Sequence, residues 1–301
     1  MRLRMGTRGS PLALAQSGQT AAALSSLHPG LEVETVRIQT SGDRFSIQSP
    51  AEASALAQGT KGLFVKEIEE ALAEGRIDFA VHSAKDLPAD LLPGLAIAAY
   101  PGREDPRDVF IGRGGLRWEA AGAGTRIGTS SLRRRVQLLA AKPGLVMLPM
   151  RGNVDTRLRK LKDGLCDGLV LARAGLVRLG LADVPHEALP EELLLPSPGQ
   201  GALAVEARQD RREVVDMLAR LDCRQTRLEV ELERAFLQEM GGGCSVPLAA
   251  RARLRGAEAD FSVFYSEPDG SRPVRLDEVC RDLSQAEEFA RGLAGRVRSR
   301  R

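Results

Sequence analysis

Along the first two hundred residues, short runs rich in aliphatic and β-branched side chains alternate with segments whose apolar positions recur at helical spacing. The runs predict strands over 31–38, 77–81, 95–99, 125–128, 146–149 and 168–172, with helices between them. Such alternation is the pattern of α/β layers built around largely parallel strands. Ser10 before Pro11 reads as an N-cap followed by an N1 proline, and predicts a helix running to about Leu27. From Gly62 to Glu74 the apolar residues Leu63, Phe64, Ile68, Ala71 and Leu72 share one helical face, leaving Glu67, Glu69 and Glu70 mostly on the other.

Proline and glycine punctuate the chain at Tyr100-Pro101-Gly102 and again at Pro196-Ser197-Pro198-Gly199-Gln200-Gly201. Two crossings between two similar α/β halves predict a bilobal protein whose ligand binds in a cleft between the lobes. After about Leu221 the texture changes to a helix from Gln225 to Met240, a glycine-cysteine loop and strands near 249–254 and 261–265. A turn at Pro268-Asp269-Gly270 and a helix from Ser284 to about Val297 follow. A chain of 301 residues exceeds one compact core. The expected division is a first α/β lobe of 1–101 plus 202–220, a second of 102–201, and a C-terminal α+β domain of 221–301. No internal repeat or low-complexity tract is visible in the sequence.

Composition narrows the function. A hydrophobic content of 43% with 28% charged residues belongs to a globular protein and excludes disorder. A net charge of +3 is too small to imply a nucleic-acid or membrane partner, yet it is unevenly spread. From Arg133 to Arg178 eleven Lys or Arg stand against three Asp, so the middle of the chain is suited to anions. The four cysteines form no CxxC pair, and three histidines are few for a zinc site, which points to free thiols in a reducing cytosol. No run approaches the ~20 apolar residues of a membrane span, and no signal-peptide core follows Met1-Arg2-Leu3-Arg4-Met5. A cytoplasmic protein is expected, and the lack of an apolar interface stripe predicts a monomer.

Four constellations could carry chemistry. Gly241-Gly242-Gly243 leads into Cys244, and glycine allows a thiol to be held in an open loop with little cover. Ser130-Ser131-Leu132-Arg133-Arg134 follows a strand and opens a helix, so the hydroxyls of Thr129, Ser130 and Ser131, free helix N–H groups and guanidinium forks suit a carboxylate or phosphate. Arg151-Gly152-Asn153 repeats the arrangement one strand later, with Arg157 beyond it. Open α/β sheets bind ligands at such strand ends, and this ligand should carry several negative charges. Val81-His82-Ser83-Ala84-Lys85-Asp86-Leu87-Pro88 leaves a strand end, where Asp86 could stabilise developing positive charge and shuttle protons. His82, without a second histidine at ligand spacing, reads as a hydrogen-bonded strand-end residue rather than a metal ligand.

Together these segments spell a resemblance. Thr7 to Ala13, Lys61 to Glu67, Val81 to Asp86, Arg103-Glu104-Asp105-Pro106-Arg107-Asp108, Gly128 to Arg134, Leu169 to Leu179, Pro198 to Ala202 and Gly242 to Pro247 resemble, in order, the porphobilinogen deaminase (hydroxymethylbilane synthase) family. The likeness covers most of the first 250 residues and is looser over the last fifty. It implies two lobes similar to type II periplasmic binding proteins and a small α+β domain. It implies a dipyrromethane cofactor joined to Cys244 by a thioether, onto which four porphobilinogen units are condensed with loss of ammonia before hydrolysis releases linear hydroxymethylbilane. On the same resemblance Asp86 is the catalytic residue. Cys244, Lys85, Asp86, Thr129, Ser130, Ser131, Arg133, Arg134 and Arg157 would hold the cofactor. Arg8, Ser10, Lys61, Phe64, Arg151, Arg157, Arg178 and Gln200 would hold the substrate, and no metal is implied. The chemistry agrees with the arginines, since each porphobilinogen adds an acetate and a propionate.

The stretch Ser46 to Thr60 departs from the family pattern by its length, with Ala57 where many relatives carry lysine. A non-catalytic bilobal anion-binding or ligand-sensing module is the rival reading, because fold alone does not set function. Such a module would need neither Asp86 nor a loop cysteine.

Overall fold

A computed structural model describes residues 1–41, 65–242 and 246–300. The chain divides into two compact units, one of 1–104 and 202–230, the other of 105–201 and 231–301. Among the described residues no helix is long and apolar enough to cross a membrane.

The first unit is built on a mixed five-stranded sheet of β1 (Arg2–Thr7), β2 (Glu32–Arg37), β3 (Phe79–Ser83), β4 (Leu95–Ala99) and β10 (Leu203–Arg208), in the order β2-β1-β3-β10-β4. β1 runs parallel to β2 and β3, whereas β10 is antiparallel to both of its neighbours. Helices cover both faces, which is why β3 is apolar at consecutive positions Phe79, Ala80 and Val81. On one face Leu3, Met5, Phe79 and Val205 pack with Leu24 of α1 (Pro11–Leu27) and with Val214 and Leu218 of α6 (Arg212–Ala219). On the other, Ile77 and Ala80 pack with Ile68 and Leu72 of α2 (Lys66–Ala73). Ser10 caps α1 as expected, its Oγ accepting from Ala13 N–H at 3.3 Å, with Pro11 in the first turn. Glu69 departs from its expected polar face: it is 9% exposed, turned with Ile68 and Leu72 toward the sheet. Its carboxyl lies near His82 of β3 and Glu206 of β10 and takes a backbone hydrogen bond at Leu92.

The second unit repeats the plan with β5 (Asp108–Gly112), β6 (Arg126–Gly128), β7 (Val146–Leu148), β8 (Gly168–Ala172) and β9 (Glu187–Ala188), in the order β7-β6-β8-β5-β9. β6 is parallel to β7 and β8, and β5 is antiparallel to β8. Each five-stranded sheet thus has four strands running one way and a single strand, β10 or β5, antiparallel to both its neighbours, so the largely parallel sheet expected is interrupted at one strand. The antiparallel strands β5 and β10, together with β1, are absent from the strands read off the sequence.

The two sheets also share a side-chain device. At the start of β1, Asp78 accepts from Arg4 N–H at 2.8 Å and from its Nε at 3.2 Å, while Arg4 Nη2 donates to Gly75 O at 2.8 Å. At the start of β6, Asp167 accepts from Arg126 N–H at 3.0 Å and from its Nε at 3.1 Å, while Arg126 Nη2 donates to Gly164 O at 3.1 Å. Both glycines have positive φ, +69° and +80°, where the chain turns out of a helix into the next strand. The repeat that the sequence hides is therefore visible in structure.

The last segment of the second unit holds an antiparallel sheet, β11 (Leu248–Arg255), β12 (Glu258–Tyr265) and β13 (Val274–Cys280). Its core joins Phe261, Val263 and Leu276 to Leu232 and Phe236 of α7 (Arg224–Glu239) and to Leu293 and Val297 of α8 (Ala286–Arg298). Ala249 and Phe264 pack outward on Val136 and Leu195, so this sheet and the second α/β sheet form one unit.

Gly112, at the end of β5, faces the Leu116 carbonyl so closely that a Cβ would sit 1.8 Å from that oxygen. Gly112→Ala must displace backbone rather than a flexible side chain, and it should cost about 1–3 kcal/mol. Urea unfolding should show a lower midpoint with an unchanged slope.

Candidate active site

In the first unit, β1 and β3 are parallel neighbours, so their C-terminal ends leave the sheet on the same edge. Arg8 and Ser10 follow β1, and a 3₁₀ turn, Ala84–Asp86, follows β3. Asp86 is exposed at the end of that turn, Lys85 is half-buried, and Leu87 N–H closes it on Ala84 O at 3.3 Å. The turn is tied back by Ala84 N–H donating to Ala202 O at 3.0 Å. Gln16 of α1 reaches Ser83 Oγ with its Nε2 at 3.0 Å. Sequence order alone brings Arg8 and Asp86 no closer than 78 positions; the parallel pairing puts them on one sheet edge.

In the second unit, Thr129–Arg134, Arg151–Arg157 and Arg178 all follow the C-terminal ends of the parallel strands β6, β7 and β8. The hydroxyls organise the loops: Thr129 Oγ1 accepts from Ser131 N–H at 3.2 Å, and Ser130 Oγ from Met150 N–H at 2.9 Å. Ser131 caps α3 (Leu132–Ala141), accepting from Arg134 N–H at 3.4 Å. Arg151 is exposed. Arg157 of α4 (Val154–Lys162) donates its Nε to Gly152 O at 2.7 Å. Arg178, at the end of α5 (Arg173–Arg178), is buried with Nη2 on Gly201 O at 2.6 Å.

Arg133 and Arg134 are turned inward rather than outward. Both are buried, and both converge on Asp108, which has no exposed surface. Arg133 Nη2 lies 2.8 Å from Asp108 Oδ2, and Arg134 Nη2 lies 2.7 Å from Oδ1. Their remaining donors reach backbone, Arg133 Nη1 to Leu195 O at 2.6 Å and Arg134 Nη1 to Val170 O at 3.0 Å. Gln200 Nε2 donates to the same Asp108 Oδ1 at 3.0 Å and to Pro106 O at 2.6 Å. Burial pushes the Asp108 carboxyl up, but the two guanidinium groups outweigh it and hold it at about 2. Two positive charges against one negative leave the trio with an excess of one, at a strand end. Such a site fits a carboxylate-bearing cofactor, because an added anion completes its charge balance.

Asp108 closes the family-like segment Arg103 to Asp108 but is not among the site residues that the resemblance implies. Its signal was a carboxylate opening a short apolar strand, where an ionised group must find partners. Beside it, Asp105 accepts from Arg107 Nη2 at 2.6 Å and Arg173 Nη1 at 2.7 Å. Burial works against its ionisation, and these arginines hold its carboxyl at about 2. His82 is hydrogen-bonded as expected, its Nε2 lying 2.9 Å from Glu206 Oε2. Among the described residues no His, Cys, Asp and Glu group could hold a metal ion.

Lys61, Phe64, Cys244 and the stretch 46–60 lie outside the described residues. The approach to Cys244 is defined. Helix α7 ends with Gly241 N–H donating to Gln238 O at 3.0 Å and Gly242 N–H to Leu237 O at 2.9 Å, with φ of +81° and +44°. This paired closure needs a left-handed residue, which glycine adopts without strain. Beyond the cysteine, Val246 packs on the C-terminal core and β11 begins two residues later.

Two α/β sheets with basic and hydroxyl residues at their parallel strand ends, and a small α+β domain following a glycine-cysteine segment, define an α/β protein whose strand ends suit an anionic ligand. Family comparison makes the class specific. Residues 3–216 match the model of the porphobilinogen deaminase dipyromethane cofactor binding domain, and 227–298 match the porphobilinogen deaminase C-terminal domain. Porphobilinogen deaminase of Roseiflexus sp. (strain RS-1) is 51% identical over 273 residues, covering 91% of this chain and 88% of its own. That of Syntrophus aciditrophicus (strain SB) is 50% identical over 295 residues, covering 98% and 94%. Among solved structures, the methionine binding protein MetQ aligns with a TM-score of 0.45 at 14% identity, covering 73% of this chain and 89% of its own.

The chain belongs to the porphobilinogen deaminase family. It is an enzyme, a transferase of the hydroxymethylbilane synthase type, and its cofactor is dipyrromethane. Membership does not favour the rival reading of a non-catalytic binding module.

Asp108 supplies a test by acid. Its carboxyl is depressed below the ordinary 3.8, so its stabilisation is complete above about pH 4 and is lost as pH falls toward 2. Asp108→Asn leaves two buried guanidinium groups facing a neutral amide, which should cost about 3–5 kcal/mol at neutral pH. Thermal melts between pH 2 and 5 should show a shallower acid dependence in the variant than in the native chain.

Proposed function

We propose that the protein condenses four porphobilinogen molecules head to tail, with loss of ammonia each time, onto a dipyrromethane joined to Cys244, and then hydrolyses the product free as hydroxymethylbilane. Dipyrromethane, when bound, supplies the pyrrole carbon to which units are added. The observation that carries the reading is the exposed Asp86 on its tied-down turn at the end of β3, in a chain matched by both domain models of the family.

Asp86 faces solvent on a short turn held by backbone on one side and by Gln16 through Ser83 on the other, so its carboxylate can hydrogen-bond pyrrole N–H groups. A carboxylate there stabilises the positive charge left as ammonia departs and accepts the proton released when the new carbon–carbon bond forms. Lys85 beside it, with Thr129, Ser130, Ser131, Arg133, Arg134 and Arg157, is assigned to the cofactor's acetate and propionate groups. Arg8, Ser10, Lys61, Phe64, Arg151, Arg157, Arg178 and Gln200 are assigned to the incoming substrate and growing chain. Each added unit brings two carboxylates, so a sheet end with surplus guanidinium charge suits the product better than the monomer. Tethering through Cys244 keeps the chain at high effective concentration through all four additions. The domains proposed are the two lobes, 1–101 with 202–220 and 102–201, and the cysteine-bearing 221–301. The protein is proposed to act as a cytoplasmic monomer, without nucleic-acid or membrane partners.

Intact-protein mass spectrometry checks the tether: native protein should exceed its sequence mass by one dipyrromethane, and Cys244→Ser should lack the increment. Unmodified native protein that releases no ammonia from porphobilinogen would refute the reading. Asp86→Asn should retain the mass increment and the native melting temperature yet lose turnover by roughly 10²-fold or more.

A further inference from the structure

Behind the turn that carries Asp86 lies a buried polar cluster with no part in the scheme above. His82 is on β3 and Glu206 on β10, with exposures of 6% and 0%. In the antiparallel register Ala204 stands opposite His82 and Glu206 opposite Ala80, so the two side chains are diagonal neighbours on one sheet face. His82 Nε2–H donates to Glu206 Oε2 at 2.9 Å. Glu69 of α2 covers the pair from above. Burial, and then the charge of Glu206, push the Glu69 carboxyl up.

Stability gives little reason to keep these groups. A buried ionisable pair pays a desolvation penalty, and well-packed apolar residues of similar volume are often as stable or more so. Glu206 Oε1 and Glu69 Oε1 moreover find no hydrogen-bond partner among the described residues. What the pair does supply is direction. The side chains of a strand alternate between faces, so Ser83 points to the α1 face, where Gln16 holds it, and His82 points to the α2 face, where Glu206 holds it. These two bonds pin consecutive residues from opposite sides immediately before the Ala84–Asp86 turn. The strand end can then neither roll about its axis nor slide along β10.

We propose that His82 and Glu206 are positioning residues, whose hydrogen bond across β3 and β10 fixes the orientation in which the Ala84–Asp86 turn presents the Asp86 carboxylate. The inference rests on the reading of Asp86 as the catalytic residue. Displacement of a reacting group by about 1 Å can cost on the order of 10²-fold in rate, so the effect belongs in kcat rather than in binding.

The test uses purified holoenzyme, with intact mass giving the fraction that carries dipyrromethane and kcat normalised to it. His82→Phe/Glu206→Leu replaces the pair by apolar residues of comparable volume, and it should keep the native melting temperature and porphobilinogen KM while kcat falls roughly 10- to 100-fold. Glu206→Gln keeps an acceptor at the same reach and should hold kcat within about threefold, because the bond rather than the charge does the positioning. If the apolar pair restores both stability and native kcat, the cluster is merely structural and the inference is overturned. It is overturned equally if Glu206→Gln, with its bond retained, loses as much turnover as Asp86→Asn. Should the apolar pair fail to fold, Glu206→Gln beside Glu206→Leu decides, with equal kcat in the two counting against positioning. Asp86→Asn assayed in parallel separates the levels: full turnover there refutes the catalytic reading itself, whereas lost turnover there with an active apolar pair refutes only the positioning role.

Discussion

Asp108 sits with no exposed surface between two guanidinium groups, and the strand-end architecture of the second α/β sheet depends on that contact. A lone carboxylate in that position would be uncharged or would destabilise the sheet; two arginines keep it ionised at about 2. The same contact fixes where Arg133 and Arg134 can be. They rise from the first turn of α3, where Ser131 Oγ accepts from Arg134 N–H, and their side chains fold back toward Asp108 of β5, Arg134 also reaching Val170 of β8. Because one negative charge cannot neutralise two positive ones, the strand ends keep a standing demand for an anion. A single carboxylate from a ligand would balance that excess.

Both sheets solve the same mechanical problem in the same way. A parallel strand entering from a helix must be held at its N-terminal end if its C-terminal end is to present chemistry in a fixed place. Arg4 with Asp78, and Arg126 with Asp167, each bind a strand start to the turn that precedes its neighbour. The opposite ends are then free to differ. In the first unit that end carries Asp86, tethered through Gln16 and the His82–Glu206 pair; in the second it carries hydroxyls and arginines. One scaffold, used twice, places an exposed carboxylate at one sheet end and arginines with hydroxyls at the other, far apart along the sequence.

Much of this architecture is legible in the sequence. The helix from Pro11 to Leu27 and the strands 95–99 and 168–172 coincide with observed elements, because cap, proline and apolar runs are local signals. The turn at Pro268 to Gly270 is equally local, with Gly270 at φ +88°. The strands β5 and β10 escaped because each follows a Pro/Gly-rich crossing and lies in the middle of a sheet, where burial on both faces erases alternation. Glu69 was misplaced for a related reason: helical period marks the apolar stripe, but whether a glutamate at its margin is buried depends on what lies beneath.

Sequence by itself determined the candidate residue types, their order, and the family the chain belongs to, since Asp86, the arginines and the glycines before Cys244 are chemical identities written at fixed spacings. Only the tertiary structure decided which charges face each other. Arg133 is 25 positions from Asp108, and His82 is 124 from Glu206, yet each pair meets within 3 Å. Strand pairing sets those distances, and a carboxylate's charge state follows from the partners that pairing delivers. The motifs therefore name the candidate groups, while the pairing of β3 with β10 and of β5 with β8 settles which of them are held inward and which, like Asp86, are left facing out.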